Sequence, residues 1–257
     1  MTALLRILGV ELMAQLGRRL PAPAARLVSG LMLVGANLLP VWAVLEGRLG
    51  MGDVLLVYWF ENVVIWFATT MRILTARRPA RRPFLRGPAG RRGDFGRLES
   101  TLAAKTWVTG DPALALFFAL HFGLFTLVHG VFAAVLAGLS GVRGGLLDWV
   151  AAGGAILLSH MLSLGLHWLG GGERGAVSPG WAMAAPYPRM IALHVTVIAG
   201  FFLLGGPDGR TADDLGVVAL LMGLKTVLDL LFHIGEHLVY ARRTRAVESR
   251  PDTGALA

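Results

Sequence analysis

The chain has 257 residues, of which 55% are hydrophobic, and its mean hydropathy is +0.63. This composition excludes an ordinary soluble domain and is typical of a multi-pass membrane protein. The formal net charge of +8 has to lie outside the hydrocarbon, where basic residues orient a membrane protein and attract anionic lipid. Because the chain contains no cysteine, disulfides and thiolate metal sites are excluded, and any metal must be held by His, Asp or Glu.

Residues 1–26 form the first predicted unit, an amphipathic segment in which residues 3–20 are predicted to form a helix that lies in the membrane interface. Leu4, Leu5, Leu8, Leu12 and Leu16 recur at helical spacing, with charged and polar residues between them. These charges interrupt the apolar run, and an arginine pair follows it, which is not the order found in a cleaved signal peptide. We therefore expect this segment to stay with the protein as a surface helix.

The rest of the chain predicts an all-α fold, a polytopic membrane bundle of six transmembrane helices within a domain covering 27–240. Each predicted span is long and apolar enough to cross a bilayer. Asp53 and Asp111 are predicted as the N-caps of the second and third spans, the latter followed by Pro112. The six spans are 27–45, 53–74, 112–139, 146–169, 189–206 and 214–240.

The connecting segments have contrasting compositions. The loop 76–110 is rich in Arg, Pro and Gly, cannot bury a core and is predicted to be flexible. The connection 178–189 mixes proline and glycine with Trp181 and Tyr187, as expected of an interfacial loop in an aromatic belt. A tail, 241–257, follows the last span.

Basic residues are distributed unevenly between the two sets of loops. With the N-terminus inside, 20 of the 24 basic residues fall on the cytoplasmic side, and the loops on the other side hold only Arg48, Arg143 and Arg210. The positive-inside rule thus predicts a multi-pass protein of the inner (cytoplasmic) membrane with both termini cytoplasmic. The arginine-rich loop is expected to contact anionic lipid headgroups, and without interleaved aromatic residues it is not expected to bind nucleic acid.

The last span concentrates ionisable residues on one face. Lys225, Asp229, His233 and His237 recur every four residues, with Glu236 beside the last pair. Each such step drifts by about 40° on a helix, so these groups share roughly one third of the circumference. Since a charge near mid-membrane costs on the order of 3 kcal/mol, this face predicts a shared partner, a cavity or an ion. The apolar face is assigned to lipid or packing: Leu224, Val227, Leu228, Leu231, Ile234 and Leu238.

Polar residues of the last span and of the other spans fall into two predicted layers. The depth of each residue is counted at about 1.5 Å per residue from the cytoplasmic end of its span. The first, roughly 5 to 14 Å deep, contains His121, His160, His194, His233 and His237, with Asp229 slightly deeper. The second, near 20 to 24 Å, contains Glu61, Asn62, His129 and Lys225. We expect Glu61 and Lys225 to form an ion pair there, because a lysine opposite a glutamate neutralises both.

Five runs of the sequence resemble an uncharacterised prokaryotic membrane-protein family known as a domain of unknown function, over about Ala36 to Tyr240. They are YWFENVVI, HFGLFTLVHGVF, LSHMLS, APYPRMIALHV and LKTVLDLLFHIGEH. The resemblance implies that the polar residues named above belong to the family's motifs, and it implies no activity. A weaker similarity is to the ceramidase and adiponectin-receptor superfamily of membrane hydrolases, which pairs an H-x-x-x-H last helix with an intramembrane Asp. Its Ser-x-x-x-His motif is absent, and its members have seven spans.

His233-x-x-Glu236-His237 matches the inverted zincin pattern H-x-x-E-H, in which two histidines bind zinc and the glutamate activates water. The first functional hypothesis is an intramembrane metal-dependent hydrolase or oxidase of a lipophilic substrate. Zinc or iron would be held by His233, His237 and one to three of His121, His160 and His194, with Asp229 or Glu236 as base or extra ligand.

Two other functions fit the same residues. In a proton-coupled transporter, Asp229, Glu61 and Lys225 would exchange protons as a pathway opens to either side of the membrane. In a non-catalytic membrane protein, the polar residues would only hydrogen-bond one helix to another.

Overall fold

The computed structural model describes residues 9–77 and 109–191 and, beyond them, positions 194, 195, 198, 223, 227, 230, 231, 234, 235 and 238. Predictions for the start of the N-terminal segment, for loop 78–108 and for the tail therefore lie outside the described residues. The same holds for most of the last two spans, including Lys225, Asp229, His233, Glu236 and His237.

The described residues contain seven α-helices and no strand. Four helices are long and apolar enough to cross a membrane, namely α2, α3, α4, and α5 with its π-helical continuation. The chain is thus a multi-pass membrane protein. The elements are α1 Val10–Arg19, α2 Ala22–Leu45, α3 Met51–Thr75, α4 Pro112–Ser140, α5 Leu146–Ser163, a π-helix Leu164–Gly170, α6 Glu173–Ala176 and α7 Pro179–Ala184.

Local chemistry sets where these helices begin. The Asp111 side chain accepts a hydrogen bond from the Leu114 N–H at 2.9 Å, which confirms the predicted N-cap of α4. The predicted N-cap role of Asp53 is wrong, because α3 begins at Met51 with Gly50 as its N-cap. Asp53 instead occupies the third helical position and accepts the Gly50 N–H at 2.8 Å, as the acidic member of a capping box does.

Helix α3 lies at the centre of the described bundle, where it contacts α4, α5 and α7. Its closest packing is against α4, where Trp59 and Trp66 donate their indole N–H groups to the Thr126 and Ala119 carbonyls at 2.8 and 2.9 Å. The Trp59 ring lies over Gly130, where a Cβ atom would be 2.5 Å from the indole nitrogen. A glycine is therefore required there for the two helices to approach.

Helix α1 packs against the π-helix through small residues. A Cβ atom at Gly17 would lie 2.5 Å from the Leu166 carbonyl oxygen, so the two backbones are in direct contact. Leu12 and Leu16 are exposed, as expected for an amphipathic helix that turns its leucines toward lipid. The sequence predicted the leucine face and did not predict that small residues dock the helix on the end of α5.

The described positions of the last span agree with its predicted apolar face. They are helical, and the four apolar side chains among them that were assigned to lipid or packing are exposed: Val227, Leu231, Ile234 and Leu238. Exposed leucine, valine and phenylalanine side chains also cover much of α4. These surfaces imply a surrounding lipid bilayer.

The two ends of the bundle differ in charge. At the arginine-rich end, which we define by Arg18, Arg72, Arg77, Arg174 and Arg189, positive charges are crowded. Burial, and then the charges of Arg77 and Arg18, lower the pKa of Arg174 below its ordinary value. This is the end that the distribution of basic residues predicts to be cytoplasmic.

At the opposite end, acidic side chains outnumber the two described arginines, Arg48 and Arg143. Arg48 contacts Glu46 at 2.8 Å and Asp148 at 2.6 Å, and these hydrogen bonds raise the pKa of Arg48 above its ordinary value. The fully buried Asp53 carboxylate ties the α2–α3 turn to the α4–α5 loop. It accepts backbone N–H groups from Gly50, Arg143 and Gly144.

Candidate functional site

Glu61 and His160 form a buried pair between two spans. Glu61 lies on α3 and His160 on α5, and the Nε2 atom of His160 is 3.3 Å from Oε1 of Glu61. Only 7% of the Glu61 side chain and 11% of the His160 side chain are exposed. Lys225, the predicted partner of Glu61, lies outside the described residues. Within the described part of the chain, a histidine contacts this glutamate.

A second pair joins His129 on α4 to His194. The Nδ1 atom of His129 lies 2.8 Å from the Phe125 carbonyl oxygen, and its Nε2 atom lies 2.7 Å from Nδ1 of His194. Since the carbonyl can only accept, Nδ1 of His129 carries the hydrogen. In neutral His129 the Nε2 atom is then the acceptor, and His194 donates to it.

These contacts correct the predicted division into two layers. His160 and His194 were assigned to the histidine layer, and each contacts a residue assigned to the second layer, Glu61 and His129 respectively. The structure therefore places members of both predicted layers together as pairs. This leaves the predicted Glu61–Lys225 contact untested, since one partner is not described.

The two remaining predicted site residues that the structure describes, Asn62 and His121, have local partners. Asn62 donates to the Tyr58 carbonyl at 3.2 Å within its own helix. His121 is exposed, and its ring lies 5.4 Å from both Phe117 and Phe125, centroid to centroid. Among the described residues, no three His, Asp or Glu side chains are grouped so that they could hold a metal ion.

A polar cavity lies beside the Glu61–His160 pair. It has a volume of about 30 Å³ and lies between α2, α3, α5 and residues 185–189, at the arginine-rich end. His160, Arg72 and Arg189 line it, and none of the described residues that line it is Asp or Glu. Four hydroxyl groups complete its polar lining: Ser29, Thr69, Ser159 and Ser163.

Arg72 reaches this cavity from the last turn of α3. Its Nη2 atom donates to Ser163 Oγ at 3.3 Å, and its guanidinium carbon lies 5.9 Å from the centroid of the Trp168 ring. The Nε atom is buried and makes no hydrogen bond. The Nη2 donor of Arg72 is thus hydrogen-bonded, whereas its buried Nε donor is not.

The π-helix contacts two residues that line the cavity, Ser29 and Arg72. His167 contacts Ser29 Oγ at 2.8 Å, and the Trp168 ring that lies near Arg72 donates its indole N–H to Thr75 Oγ1 at 2.8 Å. Ser29 in turn donates to the Arg26 carbonyl at 3.1 Å, so the histidine is the donor to Ser29. π-Helical segments within α-helices are frequent at functional sites, and this one contributes two buried side chains that contact the cavity lining.

Sequence reasoning missed Arg72 and Arg189, because both were interpreted only as topology signals. One indication was present in the fourth span, where Ser159 and Ser163 accompany His160. A four-residue spacing places two serines one above the other on the helix, next to the histidine. A hydroxyl stripe beside a buried histidine indicates a polar space, although it does not identify the neighbouring helix that supplies the arginines.

No curated protein and no solved structure matches this chain. Residues 19–246, which include α2 to α7 and both residue pairs, match the model of a family of unknown function, DUF6498. This agrees with the resemblance indicated by the sequence motifs, and the chain belongs to that family.

Proposed function

We propose that the protein is a proton-coupled transporter in which the Glu61–His160 pair takes up and releases the proton. One observation carries the proposal: two ionisable side chains from different spans are buried against each other, and one of them also lines a cavity. Ionisable groups inside membrane spans are costly, and where they occur they mark ion or proton pathways.

The geometry suits proton exchange between the pair and water. Direct transfer needs heavy atoms within about 2.6 to 3.2 Å, or one bridging water, and the Nε2–Oε1 distance of 3.3 Å lies just beyond this range. The cavity beside His160 has room for about two water molecules. Water in the cavity would connect the imidazole with the arginine-rich end.

The His129–His194 pair supports a second protonation site. Its Nε2–Nδ1 hydrogen bond of 2.7 Å lets one proton be shared between the two rings. Because Nδ1 of His129 is bonded to the Phe125 carbonyl, this ring exchanges protons only through Nε2. Proton exchange at this pair would therefore run between His129 Nε2 and His194 and not along α4.

Proteoliposomes with a trapped pH indicator test the proposal. We expect proton entry when solutes from a panel of carboxylates, amino acids, sugars and phosphate are added, and a loss of at least about tenfold in Glu61→Gln and His160→Gln. Asp148→Asn is the matched carboxylate control, because Asp148 lies at the opposite end. If proton entry is unchanged in both Glu61→Gln and His160→Gln, or if no solute causes it, the proposed transport function is excluded.

Infrared titration separates protonation from transport. If Glu61 takes up a proton, acidification should increase the carbonyl band of a protonated carboxylic acid, and Glu61→Gln should remove this increase. A band that is identical in wild type and Glu61→Gln would show that Glu61 does not take up the proton. The groups would then only hold α3 and α5 together.

The metal-dependent enzyme is the second candidate function, because several of its predicted ligands lie outside the described residues. The observation that favours it is the approach of His129 and His194 from two helices. Two nitrogens on one zinc ion at about 2.0 to 2.1 Å in tetrahedral geometry are roughly 3.3 Å apart, so a metal would require the rings to separate slightly. Elemental analysis of the protein after reconstitution with metal at neutral pH tests this candidate. A content below about 0.2 equivalents of any transition metal would exclude the metal-dependent enzyme.

A further inference from the structure

We propose that the arginine-rich end binds the phosphate headgroup of an anionic phospholipid between Arg18, Arg77 and Arg174. This inference goes beyond the proposed function, because it concerns the membrane surface of the protein and not the buried pairs. It also differs from the predicted lipid contact of the arginine-rich loop, to which only Arg77 belongs. Three observations support it: the backbone contacts between the segments that carry these arginines, their charge, and the exposed leucines of α1.

Backbone contacts bring the three segments together. A Cβ atom at Gly170, the last residue of the π-helix, would lie 3.0 Å from the Cα atom of Gly17, so the end of α1 lies against the end of that helix. Arg18 is the next residue of α1, and Arg174 lies in α6, which follows the π-helix. The Arg77 N–H donates to the Arg174 carbonyl at 2.7 Å, which places the chain after α3 beside α6. The three arginines therefore begin at neighbouring backbone positions, although they are far apart in the sequence.

The three guanidinium groups are close enough to affect one another. Burial, and then the charges of Arg77 and Arg18, lower the pKa of Arg174, although a guanidinium stays protonated in proteins. The ion pairs between described residues involve Arg48 and His160 and none of these three arginines. An anion held between the three positive charges would offset their mutual repulsion.

The exposed leucines of α1 indicate that this anion belongs to a lipid. Leu12 and Leu16 are 66% and 51% exposed, and Arg18 lies about 200° round the helix from Leu16. A helix of this kind lies in the membrane interface, with its leucines toward acyl chains and its charged residues among headgroups. Arg77 and Arg174 come just after the ends of two membrane spans, at the same surface. A phospholipid supplies an acyl chain for the leucines and a phosphate for the arginines, whereas free phosphate supplies only the second.

Native mass spectrometry of the full chain, released from a neutral detergent, tests the inference. The probes are dioleoylphosphatidylglycerol as the anionic lipid, dioleoylphosphatidylcholine as a lipid with the same acyl chains and no net charge, and inorganic phosphate as the free anion. We expect phosphatidylglycerol to bind at least about tenfold more tightly than phosphatidylcholine, because three arginines favour a net negative headgroup. Inorganic phosphate at the same concentration should not displace the bound lipid.

Arginine variants connect the binding to this surface. We expect the triple variant Arg18→Gln, Arg77→Gln, Arg174→Gln to weaken phosphatidylglycerol binding by at least about tenfold and to lose one tightly bound lipid. Arg174→Lys keeps the charge without the planar donors and should weaken binding less than Arg174→Gln. Residues 78–108 are unchanged in every variant, so any lipid bound by that part of the loop is a constant background.

Arg26→Gln is the matched control for the loss of one positive charge. Arg26 is an exposed arginine near the start of α2, at the same end of the bundle, and its charge is not among those that lower the pKa of Arg174. We expect phosphatidylglycerol binding to change by less than about twofold in this variant. Size-exclusion chromatography and circular dichroism check that each variant is folded.

Three results would overturn the inference. Equal binding of phosphatidylcholine and phosphatidylglycerol would show that the headgroup charge is not recognised. Displacement of the lipid by inorganic phosphate would assign the arginines to a free anion. A folded triple variant that binds phosphatidylglycerol like wild type, or no more weakly than Arg26→Gln, would place the lipid elsewhere on the protein.

Discussion

The charged groups at the two ends of the bundle differ in their hydrogen-bond partners. At the opposite end, the buried Asp53 carboxylate accepts three backbone N–H groups, and Arg48 is bonded to two carboxylates. At the arginine-rich end, Arg72 and Arg189 line a cavity, and the buried Nε atom of Arg72 makes no hydrogen bond. The charges of the opposite end are thus hydrogen-bonded by described groups of the protein, whereas at the arginine-rich end the Nε donor of Arg72 makes no hydrogen bond.

This difference separates structural charges from functional ones. A buried charge that is fully hydrogen-bonded by the backbone fixes a turn or loop, and its removal leaves several donors unsatisfied. A buried donor without a partner is a cost that packing alone does not require. The free energy of unfolding should therefore depend more on Asp53 than on Arg72.

The largest effect is expected for Asp53→Ala. This change leaves the backbone N–H groups of Gly50, Arg143 and Gly144 without their acceptor, and each unsatisfied donor costs about 1 to 3 kcal/mol. We expect the free energy of unfolding in detergent to fall by about 3 kcal/mol or more. Denaturant titration followed by tryptophan fluorescence measures it.

The matched control is Asp148→Asn, which removes a carboxylate from the same end. Asp148 contacts Arg48 at a partly exposed position, and such pairs contribute about 0 to 1 kcal/mol. If the two variants lose equal stability, the buried hydrogen bonds of Asp53 are not what holds that end together.

The helix boundaries could be predicted from the sequence because they depend on local chemistry. Proline and a capping aspartate start α4, and the apolar run of α5 starts at Leu146, as predicted. α2 begins at Ala22 and not at residue 27, because prolines are tolerated in the first helical turn and the helix extends back to them. The hydropathy pattern identified the span but missed its first turn, which has few large apolar side chains.

The pairing of the polar residues could not be predicted in the same way. Counting residues gives the height of a backbone position and omits helix tilt, rotation and the length of the side chain. Glu61 and His160 were therefore assigned to separate layers, although their side chains meet at 3.3 Å. The π-helix was also missed, because its close contact with Gly17 of α1 depends on tertiary packing.

An intermediate effect is expected for Gly17→Ala, which tests how far the arginine-rich end depends on α1. The added methyl would meet the Leu166 backbone, and overpacking of this kind costs about 1 to 3 kcal/mol. We expect faster hydrogen exchange in Val10–Arg19 and in the π-helix, measured by mass spectrometry. The opposite end should keep its protection.

Gly30→Ala is the control for this change, since a Cβ atom there meets no atom within 4 Å. Alanine stabilises a helix by up to about 1 kcal/mol relative to glycine, so this variant should be neutral or slightly more stable. Equal loss of protection in both glycine variants would show that α1 is not held by the close approach at Gly17.

The smallest effect on stability is expected for Arg72→Met, and it tests the comparison most directly. Methionine keeps much of the apolar length of arginine and removes the charge with its unsatisfied Nε atom. The variant also loses the hydrogen bond of Arg72 to Ser163 and its contact with Trp168, and both losses lower the free energy of unfolding. Because replacement of buried charges by apolar side chains is often neutral or favourable, we expect the free energy of unfolding to be unchanged or raised by about 1 kcal/mol. Denaturant titration beside Asp53→Ala measures this value. A fall of more than about 2 kcal/mol would show that Arg72 is as structural as Asp53, and the two ends would no longer differ in kind.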